Sequence, residues 1–583
     1  MTYYFNNYLK ILQREGEIKT ISRFVDPSLQ VAEVTDREAA LPEGGKALLF
    51  TNTGTDFPIV TNLFSSERRI ALSFNMESME EVSRKILDFY QSLIHNTTVG
   101  RYARKSLFHE LVQFYPRVTG VGSCQEVALF PPDLNRIPFT KNRPFDEAYS
   151  LHDVPMVIKD PTSSQYAIGS ARLLWHSRST FQVSFEPGLR MGQYYHSAPS
   201  GRVPVAFFLG GDPLYSLSGL LARAEEPEPF LLEGYLRKKA VVKVPCLSQP
   251  LEVPENCDMV IEGYIDKNAQ LIPSPSCGNS TGFYSLGGED PLVHVTCITH
   301  RKGAHIPIII PYHGLVRNRG FLTKSLSTIV EASLENTVDR QVRRLSFPYF
   351  CRQCAVAVAG IQKFYPGQIE KTAHAFWGSD QLSLNKLLIL VDENIDVNSW
   401  LKVNDCIRQY YRPSTDTFIS KGALSITDQA APRRGYGGKI CIDATRKPTS
   451  KTTNGINPEK SFVFYHKSNK TFRANPALSY IYIALDDEVD LTNHLQCLWL
   501  AVSRTDPVRD VKIHNGMLFI NACLDKQAEN DMTRPWPNVC CSSMETIEEV
   551  DRLWDRLKVG DFVPSPSLTL HSLLRQGNAK INE

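Results

Sequence analysis

Val203-Pro-Val-Ala-Phe-Phe-Leu209, closed by Gly210-Gly211-Asp212-Pro213, is the stretch that decides the fold. A short run of β-branched and aromatic side chains, stopped by two glycines and a proline, reads as a buried strand. The same texture returns at Val154–Ile158, Phe181–Phe185, Ala240–Val244, Met259–Ile265 and Val293–Thr299, with Gly and Pro between the runs. Strands at this spacing, with no helical periodicity between them, predict a β-barrel or sandwich in the middle of the chain.

On either side the pattern changes to mixed helix and strand. Tyr4, Phe5, Leu9 and Leu12 line one face of an N-terminal helix, and Val82, Ile86, Phe89 and Tyr90 one face of a helix over Glu80–Ile94. Short strands are expected at Ala47–Phe50 and Phe57–Val60. Towards the C-terminus, Lys386–Val391 reads as a buried strand and Trp400–Tyr411 as a helix. A second copy of this unit follows 94 positions later: Asp392, Asp396, Pro413 and Asp416 correspond to Asp486, Asp490, Pro507 and Asp510. Matching apolar positions (Val391 with Leu485, Ile395 with Val489, Val397 with Leu491) predict a duplicated βα unit. Ser542-Ser543-Met544-Glu545 forms a capping box for a terminal helix with Ile547, Val550, Trp554 and Leu557 on one face and Gly560 as its stop.

Composition excludes several classes of function. With 64 Lys plus Arg against 62 Asp plus Glu, the net charge of +2 gives no basic field for nucleic acid. No run approaches the roughly 20 apolar residues that cross a bilayer. The start, MTYYFNNYLKILQREGE, has no signal-peptide apolar block, so a cytoplasmic location is expected. The 13 cysteines are odd in number and scattered, which is no disulfide framework. The single CxxC at Cys351–Cys354 lacks the second pair or histidines of a zinc site.

Several segments, in order along most of the chain, resemble the UbiD family of aromatic-acid decarboxylases. They are FVDPSLQVAEV (Phe24–Val34), GKALLFTNTGTDFPIVTNLFSSERRIALSF (Gly45–Phe74), DLNRIPFTKNRPFDEAYSLHDVPMVIKDP (Asp133–Pro161), VPVAFFLGGDP (Val203–Pro213), IEGYID (Ile261–Asp266), DQAAPRRGYGGKICIDATRK (Asp428–Lys447) and RPWPNV (Arg534–Val539). The longer, quinone-linked members look most similar, through the C-terminal DPVRD and WPNV stretches. The resemblance implies an α+β protein of three domains: an N-terminal α/β domain over 1–115, a central split β-barrel that binds flavin over 116–330, and a C-terminal α/β domain over 331–583 that carries the duplicated unit and a docking helix. It also implies reversible decarboxylation of an aromatic or unsaturated acid, a quinone precursor among the candidates. Prenylated FMN is then the cofactor, with a divalent metal such as Mn2+ beside its phosphate. A flavin prenyltransferase would supply the cofactor, and the protein would form homo-oligomers.

Losing CO2 leaves electron density that a cofactor must absorb and an acid must then protonate. Tyr166-Ala-Ile-Gly-Ser-Ala-Arg172 is similar to the family's N-x-G-x-x-R, so Arg172 falls on its arginine. A guanidinium can hold a carboxylate or a cofactor oxygen in a bidentate grip. The implied cofactor contacts are Ser170, Ala171, Arg172, Gln182, Gly188 and Lys439, the last in Gly437-Gly438-Lys439. The implied flavin cavity lies in the central β region, with the Arg172 guanidinium projecting into it. The family's metal ligands fall at Ala167, at Glu186 or Pro187, and at Glu226 or Glu228, which leaves carboxylates as the donors. Anchored on Thr281-Gly-Phe-Tyr284, the two family carboxylates fall at Ser274 and Asn279, neither of which titrates near neutrality. Cys277, His176 and His196 are candidate replacements for the acid. Two readings follow: a decarboxylase with an altered acid and metal shell, or a catalytically degenerate relative that acts as scaffold, regulatory partner or ligand-binding protein. An oxidoreductase using ordinary FMN is a third reading, supported by the barrel alone.

Overall fold

Helix α1 (Phe5–Arg14) opens the chain in the computed structural model and buries Phe5, Tyr8, Leu9 and Leu12, the face set by its apolar spacing. The structure describes residues 4–98, 111–220, 228–311, 325, 327–331, 341–348, 350, 355–447, 462–476, 479–524, 536–575 and 577–581. Cys351–Cys354 and Glu226 lie outside these residues. The chain forms two compact units. The first comprises Met1–Gly278, Gly287–Tyr312 and Cys540–Leu568, and the second Asn279–Leu286, His313–Val539 and Thr569–Glu583.

In the first unit, β1 (Ile18–Ile21), helix α2 (Gln30–Ala40), β2 (Ala47–Phe50), β3 (Ile59–Thr61) and helix α3 (Met79–Thr98) make an α/β layer. Six longer strands follow: β4 (Ser150–Lys159), β5 (Tyr166–Trp175), β6 (Thr180–Ser184), β7 (Arg202–Leu209), β8 (Met259–Asp266) and β9 (Leu292–His300). They pair in the order β8-β7-β4-β5-β6-β9, and β8 also pairs with β9, so the barrel closes. Strand β10 (Ile306–Pro307) then returns to β3 and completes the sheet β1-β2-β3-β10. The expected strand near Ala240–Val244 exists as Val242–Pro245 but stands outside the barrel, in a three-stranded sheet with Glu252–Pro254 and Arg117–Val118.

Closure forces each strand to send alternate residues inward. Met156, Ala171, Leu173, Phe181, Val183, Val205, Phe207, Ile261 and Val293 belong to one buried cluster drawn from all six strands. Phe181 and Phe207, on strands that do not pair, meet edge to face with centroids 5.2 Å apart, so side chains fill the lumen. The lumen of the barrel is therefore a packed core.

Helix Met544–Leu557 lays Ile547, Val550, Trp554 and Leu557 on the first unit, capped by Ser543, whose hydroxyl accepts from the Thr546 amide. It ends on Lys558 in the left-handed conformation (φ 56°), two residues before the expected Gly560. Arg37 of α2 is fully buried beneath it. Its guanidinium meets Glu33 and Asp551 at 2.6 Å each, donates to the Ile547 and Val563 carbonyls, and lies over the Trp554 ring.

The second unit holds two sheets. Strands β11 (Val342–Ser346), β12 (Val356–Ile361), β13 (Leu387–Asp392), β14 (Thr417–Ala423) and β15 (Tyr436–Asp443) pair in the order β11-β12-β13-β15-β14, with helix α4 (Trp400–Tyr410) between β13 and β14 in sequence. Strands β16 (Phe462–His466), β17 (Ile481–Leu485), β18 (Val511–His514) and β19 (Met517–Asn521) pair as β16-β17-β19-β18, with helix α5 (His494–Ser503) after β17. The 94-residue offset reaches individual hydrogen bonds. Ser399 and Asn493 cap α4 and α5, and Asp416 and Asp510 accept from the amides of Arg412 and Asp506 at 2.7 and 2.8 Å. Recurring polar caps at one offset are harder to reach by chance than recurring apolar residues, because each is fixed by the turn it satisfies.

Phe207→Ala would open a void in the filled barrel and cost about 3–5 kcal/mol. We expect the melting temperature of the first unit to fall by about 5 °C; a shift below about 2 °C would mean that the lumen is not close-packed.

Candidate functional site

Polar chemistry in the first unit collects on the outer wall of the barrel, where the ladder between β4 and β5 slips. Leu151 faces Leu173 and Val154 faces Ala171, so Arg172 alone stands opposite His152 and Asp153. The extra residue is a β-bulge, a device that re-aims side chains. Asp153 takes a left-handed backbone (φ 52°), a strained choice for an aspartate. Strand alternation puts Ser170 and Arg172 on this outer face and Ala171 on the inner one.

Arg172 is half-buried and His152 buried. Ser150 Oγ lies 3.0 Å from His152 Nε2, and Asn142 Nδ2 donates to Ser150 Oγ at 3.4 Å. Burial first, then the Arg172 and Arg143 guanidiniums, push His152 down to about 3, so its imidazole is neutral at physiological pH. Ser170 Oγ donates to Asp153 Oδ1 at 3.5 Å. Arg143 pairs with the buried Asp36 at 2.7 Å, and Asp146 accepts from the amides of Asn142, Arg143 and Gly278. These bonds pin the Cys277–Gly278 segment beside the 142–150 loop.

The structure separates the other expected site residues. Ala171 faces the packed lumen. The Gln182 side-chain amide is spent on the carbonyls of Ile272, Pro273 and Asp290. Gly188 is exposed in the loop that precedes helix Arg190–Ser197, with open space where a side chain would stand. Glu186 is half-buried in the same loop and Pro187 is exposed. Glu228 pairs with Lys243 at 3.1 Å. Among the described residues no group of three or more His, Cys, Asp or Glu could hold a metal ion.

Ser274 donates to Asp290 Oδ2 at 2.5 Å. Asp290 is a buried carboxylate that sequence reasoning missed, because it lies 16 positions away and arrives through the pairing of Ile272–Pro273 with Glu289–Asp290. Cys277 is buried and donates weakly to the Ala148 carbonyl at 3.7 Å. Burial, then the Asp146 carboxylate, push its thiol up to about 12, too weak an acid to serve near neutrality. His176 and His196 are exposed.

In the second unit Asn279 is locked in a turn. Its Oδ1 accepts from Thr281 N and Oγ1, and its Nδ2 donates to Ser285 Oγ at 2.9 Å. Lys439 is buried, and its ammonium donates to the Ser383 and Asn385 carbonyls. Gly437 and Gly438 form no Gly-rich turn. They lie in β15, where Gly438 N donates to Asp506 Oδ2 at 2.6 Å and an added Cβ would sit 2.7 Å from Asp506 Oδ1. The glycines thus admit the Asp506 carboxylate, and the lysine braces the unit.

Three family domains match the chain: the 3-octaprenyl-4-hydroxybenzoate carboxy-lyase (UbiD) N-terminal domain over residues 9–86, its Rift-related domain over 117–313 and its C-terminal domain over 326–444. An uncharacterized protein of Aquifex aeolicus is 30% identical over 455 residues, covering 76% of this chain and 91% of that protein. An uncharacterized protein of Archaeoglobus fulgidus is 27% identical over 449 residues, covering 75% and 90%. Among solved structures, the vanillic acid decarboxylase of Sedimentibacter hydroxybenzoicus in closed form superposes with a TM-score of 0.68 at 18% identity, covering 78% of this chain and 94% of that one. The UbiD-class enzyme HmfF of Pelotomaculum thermopropionicum, solved in complex with FMN, gives 0.61 at 20% identity, covering 77% and 95%.

His152 links the bulge to stability. Its folded value lies below the ordinary histidine value of about 6.5, so the unfolded chain binds more protons between about pH 3 and 6.5. The stability is complete above that window and is lost as pH falls through it. We expect the melting temperature to drop more steeply from about pH 7 to 4.5 in the wild type than in His152→Asn. Parallel curves would show that His152 is not held neutral.

Proposed function

The chain belongs to the UbiD carboxy-lyase family, and on that premise we propose that it decarboxylates an aromatic or unsaturated carboxylic acid reversibly with prenylated FMN, a quinone precursor being one candidate substrate. The observation that carries this reading is the half-buried Arg172 set against the His152–Asp153 bulge on the outer barrel wall. A guanidinium beside a neutral imidazole is a donor set suited to a carboxylate or to a flavin oxygen, so the residues present fit the cofactor. Solved relatives carry FMN or prenylated FMN in their complexes.

When bound, the prenylated flavin supplies the electron sink for the charge left as CO2 departs. Arg172 and Ser170 hold the anion on the outer face. His152, neutral and tied to Ser150, orients the site without adding a competing positive charge. Asp290 and Ser274 take over proton delivery: Asp290 first takes a proton from water, the carbon–carboxyl bond breaks and CO2 leaves, the Ser274 hydroxyl gives its proton to the substrate carbon, and Asp290 returns one to Ser274 and is left as the carboxylate that Ser274 now faces. The three-domain division at 1–115, 116–330 and 331–583, a homo-oligomeric state and cofactor supply by a flavin prenyltransferase belong to the same reading.

One observation favours the alternative, a degenerate UbiD-fold protein that binds ligand or partner without turnover. Asn279, at the position of a family carboxylate, has its amide consumed by local hydrogen bonds.

Co-production with a flavin prenyltransferase tests both readings. We expect a bound-flavin spectrum and, for some acid in an aromatic panel, CO2 release with exchange of deuterium from D2O into the carbon that carried the carboxyl group. Asp290→Asn should lower that exchange by about 10²-fold or more, and Cys277→Ser should leave it nearly unchanged. Bound flavin with no exchange on any acid would favour the degenerate relative, and no bound flavin would remove the enzymatic reading.

A further inference from the structure

The family resemblance puts a divalent metal beside the flavin, yet the donor set here does not fit one. Ala167 has no ligand atom, and its methyl faces the filled lumen. Glu228, one of the two positions (with Glu226) on which the family's glutamate ligand falls, is held by Lys243, whose ammonium lies 3.1 Å from Glu228 Oε1 and 2.8 Å from Glu252 Oε2. The same ammonium sits over the Tyr166 ring, 5.0 Å from its centroid, and Tyr166 is the neighbour of Ala167 on β5. Lys159 approaches that ring as well, at 5.5 Å. The Lys243 side chain is 8% exposed and each carboxylate 27%.

We infer that Lys243 is a built-in cation: its ammonium neutralises the carboxylates that a divalent metal would otherwise bridge, and the protein works without that metal. A hard cation needs six to eight oxygens, about 2.0–2.6 Å away. Two carboxylates already paired to an ammonium cannot supply them unless the lysine is displaced. A covalently tethered charge is present at every metal concentration, and the aromatic ring beneath it offers no oxygen donor but attracts an organic cation. The inference rests on the family placement of the flavin site, but its test does not require flavin.

The probe is Mn2+ on the full chain without cofactor, read by electron paramagnetic resonance and by thermal melting. The wild type is expected to retain no stoichiometric Mn2+ at about 100 μM, within the range of ordinary weak sites, and to melt at the same temperature in chelator or in metal. Lys243→Gln leaves Glu228 and Glu252 facing each other, so it should bind Mn2+ at least tenfold more tightly and be raised in melting temperature by it. Lys243→Gln combined with Glu228→Gln should lose that gain, which assigns it to this carboxylate. One Mn2+ bound by the wild type and lost in Glu228→Gln would overturn the inference, as would a folded Lys243→Gln with no gain in Mn2+ affinity. If Lys243→Gln does not fold, the wild-type titration decides alone. Flavin failing to bind leaves every one of these outcomes readable, so the two proposals fail separately.

Discussion

Closure of six strands into a barrel is the constraint on which the first unit depends. A ring this small has room inside for side chains and nothing more. Phe181 and Phe207 meet across it, and Met156, Val205, Ile261 and Val293 fill the rest. Polar side chains on these strands, Ser170 and Arg172 among them, are thereby driven to the outer wall. The wall is specialised at one place, where an extra residue in β4 breaks the ladder and turns His152 and Asp153 towards Arg172. The packed interior gives the rigid support that lets a bulge persist with an aspartate in the left-handed region.

Charge around this wall is balanced in pairs. Arg143 is matched by Asp36, Arg37 by Glu33 and Asp551, and Lys243 by Glu228 and Glu252. Such pairs contribute little net stability, but losing one partner costs about 3–5 kcal/mol because a buried charge is left alone. Arg37 uses that penalty to hold the terminal helix. His152 stays neutral because two guanidiniums and burial oppose its protonation.

Much of this was legible in the sequence. The strand runs, the N-terminal helix face, the terminal helix and its Ser543 cap all follow from apolar spacing and cap chemistry, which act locally. The 94-residue offset was visible because Asp392, Asp396, Pro413 and Asp416 recur as Asp486, Asp490, Pro507 and Asp510. The missed features were non-local. His152-Asp153 interrupts an apolar strand and reads as a strand end unless the pairing partner is known. Asp290 reaches Ser274 only through a two-residue ladder. Gly437-Gly438-Lys439 reads as a Gly-rich turn beside a cofactor lysine, but the glycines make room for Asp506, which no local pattern announces.

A structure of the protein reconstituted with prenylated FMN tests the central claim directly. The account predicts flavin density against the outer face of β5, with the Arg172 guanidinium within hydrogen-bond distance of a flavin or substrate oxygen and the lumen still filled. Flavin seated away from Arg172, or a barrel opened to admit it, would contradict the account.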